Sequence, residues 1–329
     1  MTKTAFLFAG QGAQKLGMAR DFYDHFAIVR ETFDQASQVL GYDLRRLIDS
    51  DQEKLNQTSY TQPAILTSSI AIYRVLGLHH IKPDMVAGLS LGEYSALVAS
   101  GALSFEDTLA LVAKRGRLME EAAPSGSGKM VAVMNTDVQI IEEACQLAAV
   151  HGVVSPANYN TPSQIVIGGQ AEAVNVAVEL LKEKGVKRLI PLNVSGPFHT
   201  ALLKPASRLL ARELEHYTFN DFNIPLVGNT EASIMEKDRI PELLARQVME
   251  PVRFYDSIAT LTENGVTQAI EIGPGKVLTG FVKKINKQLP CSSIEDMVSL
   301  RSFLDRERGN SWKLKGKISL LQVQQEVSV

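Results

Sequence analysis

Apolar positions along the chain fall into short unbroken runs and longer runs at helical spacing. Ala5 to Ala9 is a five-residue apolar run, the length of one buried strand. It leads into the glycine-rich turn Gly10-Gln11-Gly12-Ala13-Gln14. Helical spacing predicts a helix from about Phe22 to Leu40. Another should open at Thr61-Gln62-Pro63, with proline in the first turn where its missing N–H matters little, and continue through Ile65, Ser69, Ile72 and Leu76. Asp84 to Leu89 reads as a second buried strand, broken by Ser90 and followed at once by helix-forming Glu93 to Val98. Ser104-Phe105-Glu106-Asp107 is a helix start with Ser104 as cap, and the helix it opens carries Leu111, Arg115 and Met119.

The texture then changes. Pro124 to Gly128 is a linker of small residues. Beyond it the pattern predicts a strand (Met130–Met134), a helix (Val138–Ala149), two strands (Val153–Asn158, Gln164–Gly168), a helix with Val174, Val178 and Leu181 on one face, and a strand (Lys187–Val194). This β-α-β-β-α-β order is that of the ferredoxin-like unit. Past Gly196 come a long helix to about His216, Pro225 to Gly228, helices to about Asn264, and a strand Thr267–Ile272 ending in Gly273-Pro274-Gly275. The expected organisation is a discontinuous large α/β domain, residues 1–125 and 195–305, with a small subdomain at 126–194 inserted into it. Residues 306–329, with the single tryptophan Trp312, are expected to be an appended tail.

Composition narrows the function classes. Hydrophobic residues are 45% and charged residues 21% of the 329, an ordinary globular balance. A formal net charge of −2 exerts no global pull on nucleic acid or an anionic membrane. No apolar run approaches the roughly 20 residues that span a bilayer. Cys145 and Cys291 lie far apart, in no metal-spaced cluster, which fits a reduced cytoplasmic protein.

Chemistry concentrates at Gly88-Leu89-Ser90-Leu91-Gly92, a GxSxG between a predicted strand and a predicted helix. A sharp turn there lifts a serine hydroxyl clear of the sheet, and the helix N-terminus offers free N–H groups to an oxyanion. The plainer alternative is a serine helix cap between packing glycines. A nucleophilic serine needs a base. Of six histidines, His199 stands apart in Ser195-Gly196-Pro197-Phe198-His199-Thr200, just past the small unit. With an ordinary pKa of about 6.5 it would give a rate rising through about pH 6 to 7. No acid occupies an evident triad position: Asp221, Asp238, Asp256 and Glu271 remain open, as does a backbone carbonyl. Gly10 to Lys15 partly matches a dinucleotide fingerprint but has lysine at the last glycine, so a structural turn stands beside that reading.

Together these segments resemble the malonyl-CoA:acyl carrier protein transacylases of bacterial fatty acid synthesis. The resemblance rests on Gly10-Gln11-Gly12, Gly88 to Leu97, Lys114-Arg115-Gly116, Asn158-Tyr159-Asn160, Gly196 to His199, Gly228-Asn229, Arg246-Gln247 and Glu271 to Gly275, in family order from about residue 4 to residue 285. It implies a hydrolase-like α/β core carrying the ferredoxin-like subdomain. Ser90 is then the nucleophile and His199 its base, oriented by a main-chain carbonyl near Gln247. The N–H groups of Gln11 and Leu91 form the oxyanion hole, and Arg115 binds the malonyl carboxylate, for which its paired N–H donors are suited. The implied substrates are malonyl-CoA and the phosphopantetheine thiol of acyl carrier protein, a transient partner, with no cofactor, metal, nucleic acid or membrane, and the chain is expected to act as a cytoplasmic monomer. Leu89 stands where many members have histidine, and the final stretch has no counterpart in the family core. Lys283, Lys284 and Lys287 offer a basic face to an acidic carrier, or simply a solvated one. Two other readings remain. A serine hydrolase or thioesterase would need an acid partner for His199 and no carboxylate-binding arginine, and a dinucleotide-binding or regulatory protein would use the glycine-rich turn.

Overall fold

A computed structural model describes residues 2–124, 126–192, 194 and 196–307. Nine strands run in chain order among the described residues: β1 (Thr4–Phe8), β2 (Met85–Gly88), β3 (Lys129–Met134), β4 (Val154–Thr161), β5 (Gln164–Gly169), β6 (Leu189–Pro191), β7 (Leu226–Val227), β8 (Gln268–Ile272) and β9 (Cys291–Ile294). Five of them form a parallel sheet in the order β7-β2-β1-β8-β9. β1 lies at its centre and is buried throughout, which is why the first apolar run shows no polar alternation: parallel strands are covered on both faces. Its side chains alternate between two cores. Phe6 and Phe8 pack with helices Thr58–Leu78, Leu91–Ala99 and Phe105–Ala122, while Ala5 and Leu7 pack with Phe254–Glu263 and Val277–Ile285.

The other four strands form an antiparallel sheet in the order β4-β5-β3-β6. Helices Val138–Ala148 and Ala171–Glu183 cover one face, burying Ile141, Ala144, Val174 and Leu181 against Val131, Val133, Ile165 and Ile167. The opposite face, with Met130, Ala132 and Val166, joins the larger core. Two main-chain bonds tie the sheets' surroundings together, Tyr159 N–H to the Val252 carbonyl and Val252 N–H to the Ala157 carbonyl, at 2.8 and 2.9 Å.

Several elements differ from their sequence patterns. The run from Phe22 to Leu40 is two helices, Arg20–His25 and Ala27–Leu40, parted by an extended Phe26. The helix expected at Thr61 begins at Thr58, so Pro63 lies inside it and not at its start; the Gln57 cap makes no side-chain bond, so nothing in the sequence announces the earlier start. Ser104 does cap its helix, accepting the Asp107 N–H at 3.1 Å. The last strand of the small sheet shrinks to Leu189–Pro191. A helix over 297–307 takes in the first two residues of the expected tail; Trp312 and the rest of that stretch lie outside the described residues. No helix among the described residues is long and apolar enough to cross a membrane.

Candidate active site

Ser90 sits where β2 turns into the helix Leu91–Ala99, with φ 53° and ψ −103°. A non-glycine residue takes up such a backbone only when its surroundings enforce it. Two glycines allow the turn to close: a Cβ on Gly88 would strike the Gly92 carbonyl group, and one on Gly92 the Phe8 carbonyl of β1. Asn229 then pins the turn from outside. Its side-chain oxygen accepts the Ser90 N–H, and its amide donates to the Gly88 carbonyl, both at 2.6 Å. The Ser90 hydroxyl is left facing a cavity.

His199 Nε2 lies 2.8 Å from Ser90 Oγ, and Nδ1 lies 2.6 Å from the Gln247 carbonyl oxygen. A carbonyl can only accept, so Nδ1 carries the proton and Nε2 is left to receive the serine's. Both rings of contact are dry, with His199 4% exposed. Burial, then the nearby Arg115 charge, brings its pKa down to about 4, against the pull of main-chain hydrogen bonds. None of the four candidate acids partners it. Glu271 accepts the N–H groups of Leu278 and Thr279, Asp221 pairs with Lys237, Asp256 pairs with Arg253, and Asp238 is exposed.

Arg115 comes from the helix Phe105–Ala122 and is 1% exposed. One guanidinium nitrogen, Nη2, donates to Ser90 Oγ at 3.2 Å and to Gln247 Oε1 at 2.9 Å. The other, Nη1, donates to Gln62 Oε1 at 2.8 Å, and the Tyr94 ring lies 5.1 Å from the guanidinium carbon. Burial lowers its pKa, and the nearby Tyr94 and Glu93 work in the opposite direction. Arg117, two residues further on, is exposed, so of the two arginines only Arg115 faces the site. Behind the arginine, Glu93 is fully buried, its Oε2 accepting from Asn229 N–H and Gln247 Nε2, both at 2.9 Å. Burial raises its carboxyl to about 7, opposed by those bonds and by Arg115.

The cavity above Ser90 has a volume of about 540 Å³ and lies between the two sheets, reached by Gln11, Asn160, Val166, Phe198 and Phe281. Gly10 brings the first loop against the elbow, since a Cβ there would meet the Leu89 carbonyl. The backbone N–H groups of Gln11 and Leu91 have no partner among the described residues; Gln11's side chain is tied to Thr58 Oγ1 at 3.0 Å. A larger hollow of about 900 Å³ opens elsewhere, beside Arg45 and Asp49, where these two groups already pair with each other. Cys145 and Cys291 are free thiols, and no metal-binding cluster occurs among the described residues.

Ser90, His199, Arg115 and Gln247 thus meet directly, with Gln11 and Leu91 at the same cavity or elbow. Sequence reasoning gave no role to Gln62, Glu93, Tyr94 or Asn229. In the sequence Asn229 stands out only within Gly228-Asn229, and Glu93 only as a helix former within Gly88 to Leu97; what places them is a fold contact across 136 and 139 residues.

A nucleophile elbow on a parallel sheet, a histidine held by a carbonyl and a buried cation beside the serine define a serine-based acyl-transferring enzyme of the α/β class. The acyl transferase domain model matches residues 5–316, and the chain belongs to that family. The malonyl CoA-acyl carrier protein transacylase of Bacillus subtilis (strain 168) is 46% identical over 299 residues, 90% of this chain and 94% of the relative. Among solved structures, MCAT from Streptococcus pneumoniae is 67% identical with a TM-score of 0.91, covering 92% of this chain and all of its own. A type II PKS acyl-carrier protein in complex with its malonyl-transacylase offers a second match, 44% identical over 93% of this chain and 100% of that one, with a TM-score of 0.90.

Proposed function

We propose that the protein moves a malonyl group from malonyl-CoA to the phosphopantetheine thiol of acyl carrier protein, in fatty acid biosynthesis, by way of a malonyl ester on Ser90. The observation that carries this reading is Arg115, a buried cation 3.2 Å from Ser90 Oγ, where an acyl group bearing a free carboxylate would end. The His199 Nε2 takes the hydroxyl proton as Oγ attacks the thioester carbonyl. The Gln11 and Leu91 N–H groups receive the oxyanion, and collapse releases coenzyme A, whose sulfur takes the proton back from His199. The carrier thiol then gives its proton to His199 and attacks the ester, and His199 passes that proton to Ser90 Oγ as the serine leaves. Every atom is accounted for by serine, histidine and the two thiols, so we assign no cofactor.

The hydrolase alternative asked for an acid beside His199 and no carboxylate-binding arginine; a carbonyl occupies the first place and Arg115 the second. We further assign the division into residues 1–125 with 195–305 and 126–194, a monomeric cytoplasmic enzyme, and transient carrier docking near the helix Val277–Ile285, where Phe281 lines the cavity and exposed Lys283 and Lys284 suit an acidic partner.

Mass spectrometry after exposure to malonyl-CoA tests the reading. A malonyl adduct should map to Ser90, persist in buffer, and discharge on adding carrier protein. An adduct on another residue, or one lost equally fast without carrier, would refute it.

A further inference from the structure

Glu93 is the most expensive group in this site to keep. It is a carboxylate with no solvent exposure, and its Oε1 has no hydrogen-bond partner among the described residues. Its place in the first turn of the helix Leu91–Ala99 would favour an acid through the helix dipole, but that benefit needs no burial. The explanation lies in its other oxygen.

Oε2 accepts from Gln247 Nε2 at 2.9 Å, and the same Nε2 donates to the Ser90 carbonyl at 2.9 Å. Both partners are pure acceptors, so this end of the Gln247 amide must be the NH2 group. The oxygen end is thereby turned to Arg115, where it accepts from Nη2 at 2.9 Å. Flipped, the amide would set its own donors against a nitrogen that can only donate. Nη2 is also the guanidinium nitrogen nearest the nucleophile. Without Glu93 the amide nitrogen would keep the Ser90 carbonyl and a long contact of 3.5 Å to Asn229 Oδ1; the Glu93 oxygen adds a second short acceptor that a flipped amide would leave facing its own oxygen.

We propose that Glu93 is a positioning residue for malonyl selectivity: by holding the Gln247 amide in one of its two orientations, it aims the Arg115 guanidinium at the carboxylate end of the acyl pocket. Glu93 touches neither substrate nor reacting atoms. It acts through Gln247, and it also accepts the Asn229 N–H, so the elbow and the selector share one anchor. This inference rests on the malonyl-transfer reading given above.

The test compares malonyl with acetyl transfer from the corresponding coenzyme A thioesters in three variants. Glu93→Leu removes the acceptor. Glu93→Asp keeps the charge but withdraws the carboxylate from Gln247, and guards against a leucine variant that fails to fold. Glu93→Gln keeps an acceptor oxygen at the same reach without the charge. Misaimed catalytic geometry on the order of 1 Å can lower rates by about a hundredfold. The malonyl-to-acetyl ratio is therefore expected to fall about tenfold or more in the leucine variant and about threefold in the aspartate variant. In the glutamine variant it should stay within about twofold of the parent, because amide orientation and not charge is what matters. A structural role alone would lower both substrates together and leave the ratio unmoved; that result overturns the proposal, as does an unchanged ratio in Glu93→Asp or a glutamine variant as poor as the leucine one. Arg115→Ala separates this inference from its foundation. If that variant keeps the parental ratio, the carboxylate-binding reading itself fails. If it collapses the ratio while Glu93→Asp does not, only the role of Glu93 falls.

Discussion

Held between Ser90 and the Gln247 carbonyl, the His199 imidazole resists a proton that a free imidazole would accept, because burial and then Arg115 bring its pKa down to about 4. The unfolded chain, with histidine near its usual value of about 6.5, binds the proton more readily. Between these limits unfolding takes up a proton, so stability rises with pH across the window; the contribution is complete above about 6.5 and is lost as pH falls toward about 4. The same shift relocates the acid limb of catalysis. From an ordinary histidine the rate of Ser90 acylation would climb through about pH 6 to 7. In this setting it should already be flat there, with its midpoint near 4. Rapid-quench acylation across pH 3.5 to about 8 reads the midpoint. Arg115→Ala removes a positive neighbour and should move the limb upward, and His199→Ala should abolish it with a loss of about two to four orders of magnitude. A midpoint that stays near 6.5 would mean the imidazole is wetter than its burial implies.

The strand, elbow and helix around Ser90 behave as one unit because their backbones touch. Gly92 has no room for a methyl group against the Phe8 carbonyl of β1, and that carbonyl is fixed in the sheet. Gly92→Ala should therefore destabilise by about 1–3 kcal/mol through overpacking, seen as a lowered melting temperature. Retention of the parental value would show that the elbow can slide away from β1. Elements of this kind were legible in the sequence wherever local chemistry decides them. Ser104 announced its helix, the unbroken run at Ala5 announced a doubly covered strand, and GxSxG between strand and helix announced an elbow. What stayed hidden was set by distance along the chain. Nothing near Gln247 says that its carbonyl meets a ring 48 residues earlier; that role came from family resemblance. No local signal marks Asn229 as the clamp on Ser90 or Glu93 as the anchor of Gln247. The early start of the helix at Thr58 was hidden too, because its cap makes no side-chain bond and Pro63 imitates a first turn.

At the scale of the whole molecule, two sheets meet over one cavity, and its lining comes from both sides: Ser90 from the parallel sheet's elbow, Asn158 and Asn160 from β4 of the antiparallel one. The central position of β1 has a consequence for biosynthesis. Its register pairs Thr4 with Gln268 and Ala5 with Met85, so β1 gains β2 as a neighbour early and β8 only after the whole stretch between them has been made. At roughly 5–20 residues per second, its open side waits on the order of ten seconds. During that time an apolar strand edge is available to any other chain. The four antiparallel strands lie between Lys129 and Pro191 and have every partner well before β8 emerges. Ribosome-bound chains halted before residue 268 should thus show protease protection over 129–191 while β1 remains cleavable, and release of the full chain should protect both. Protection of β1 in the halted chains would mean that its open edge is covered by something other than β8. With that edge open, crowding nascent chains on one messenger would cost more yield than it does for a protein whose sheet closes in the order it is made.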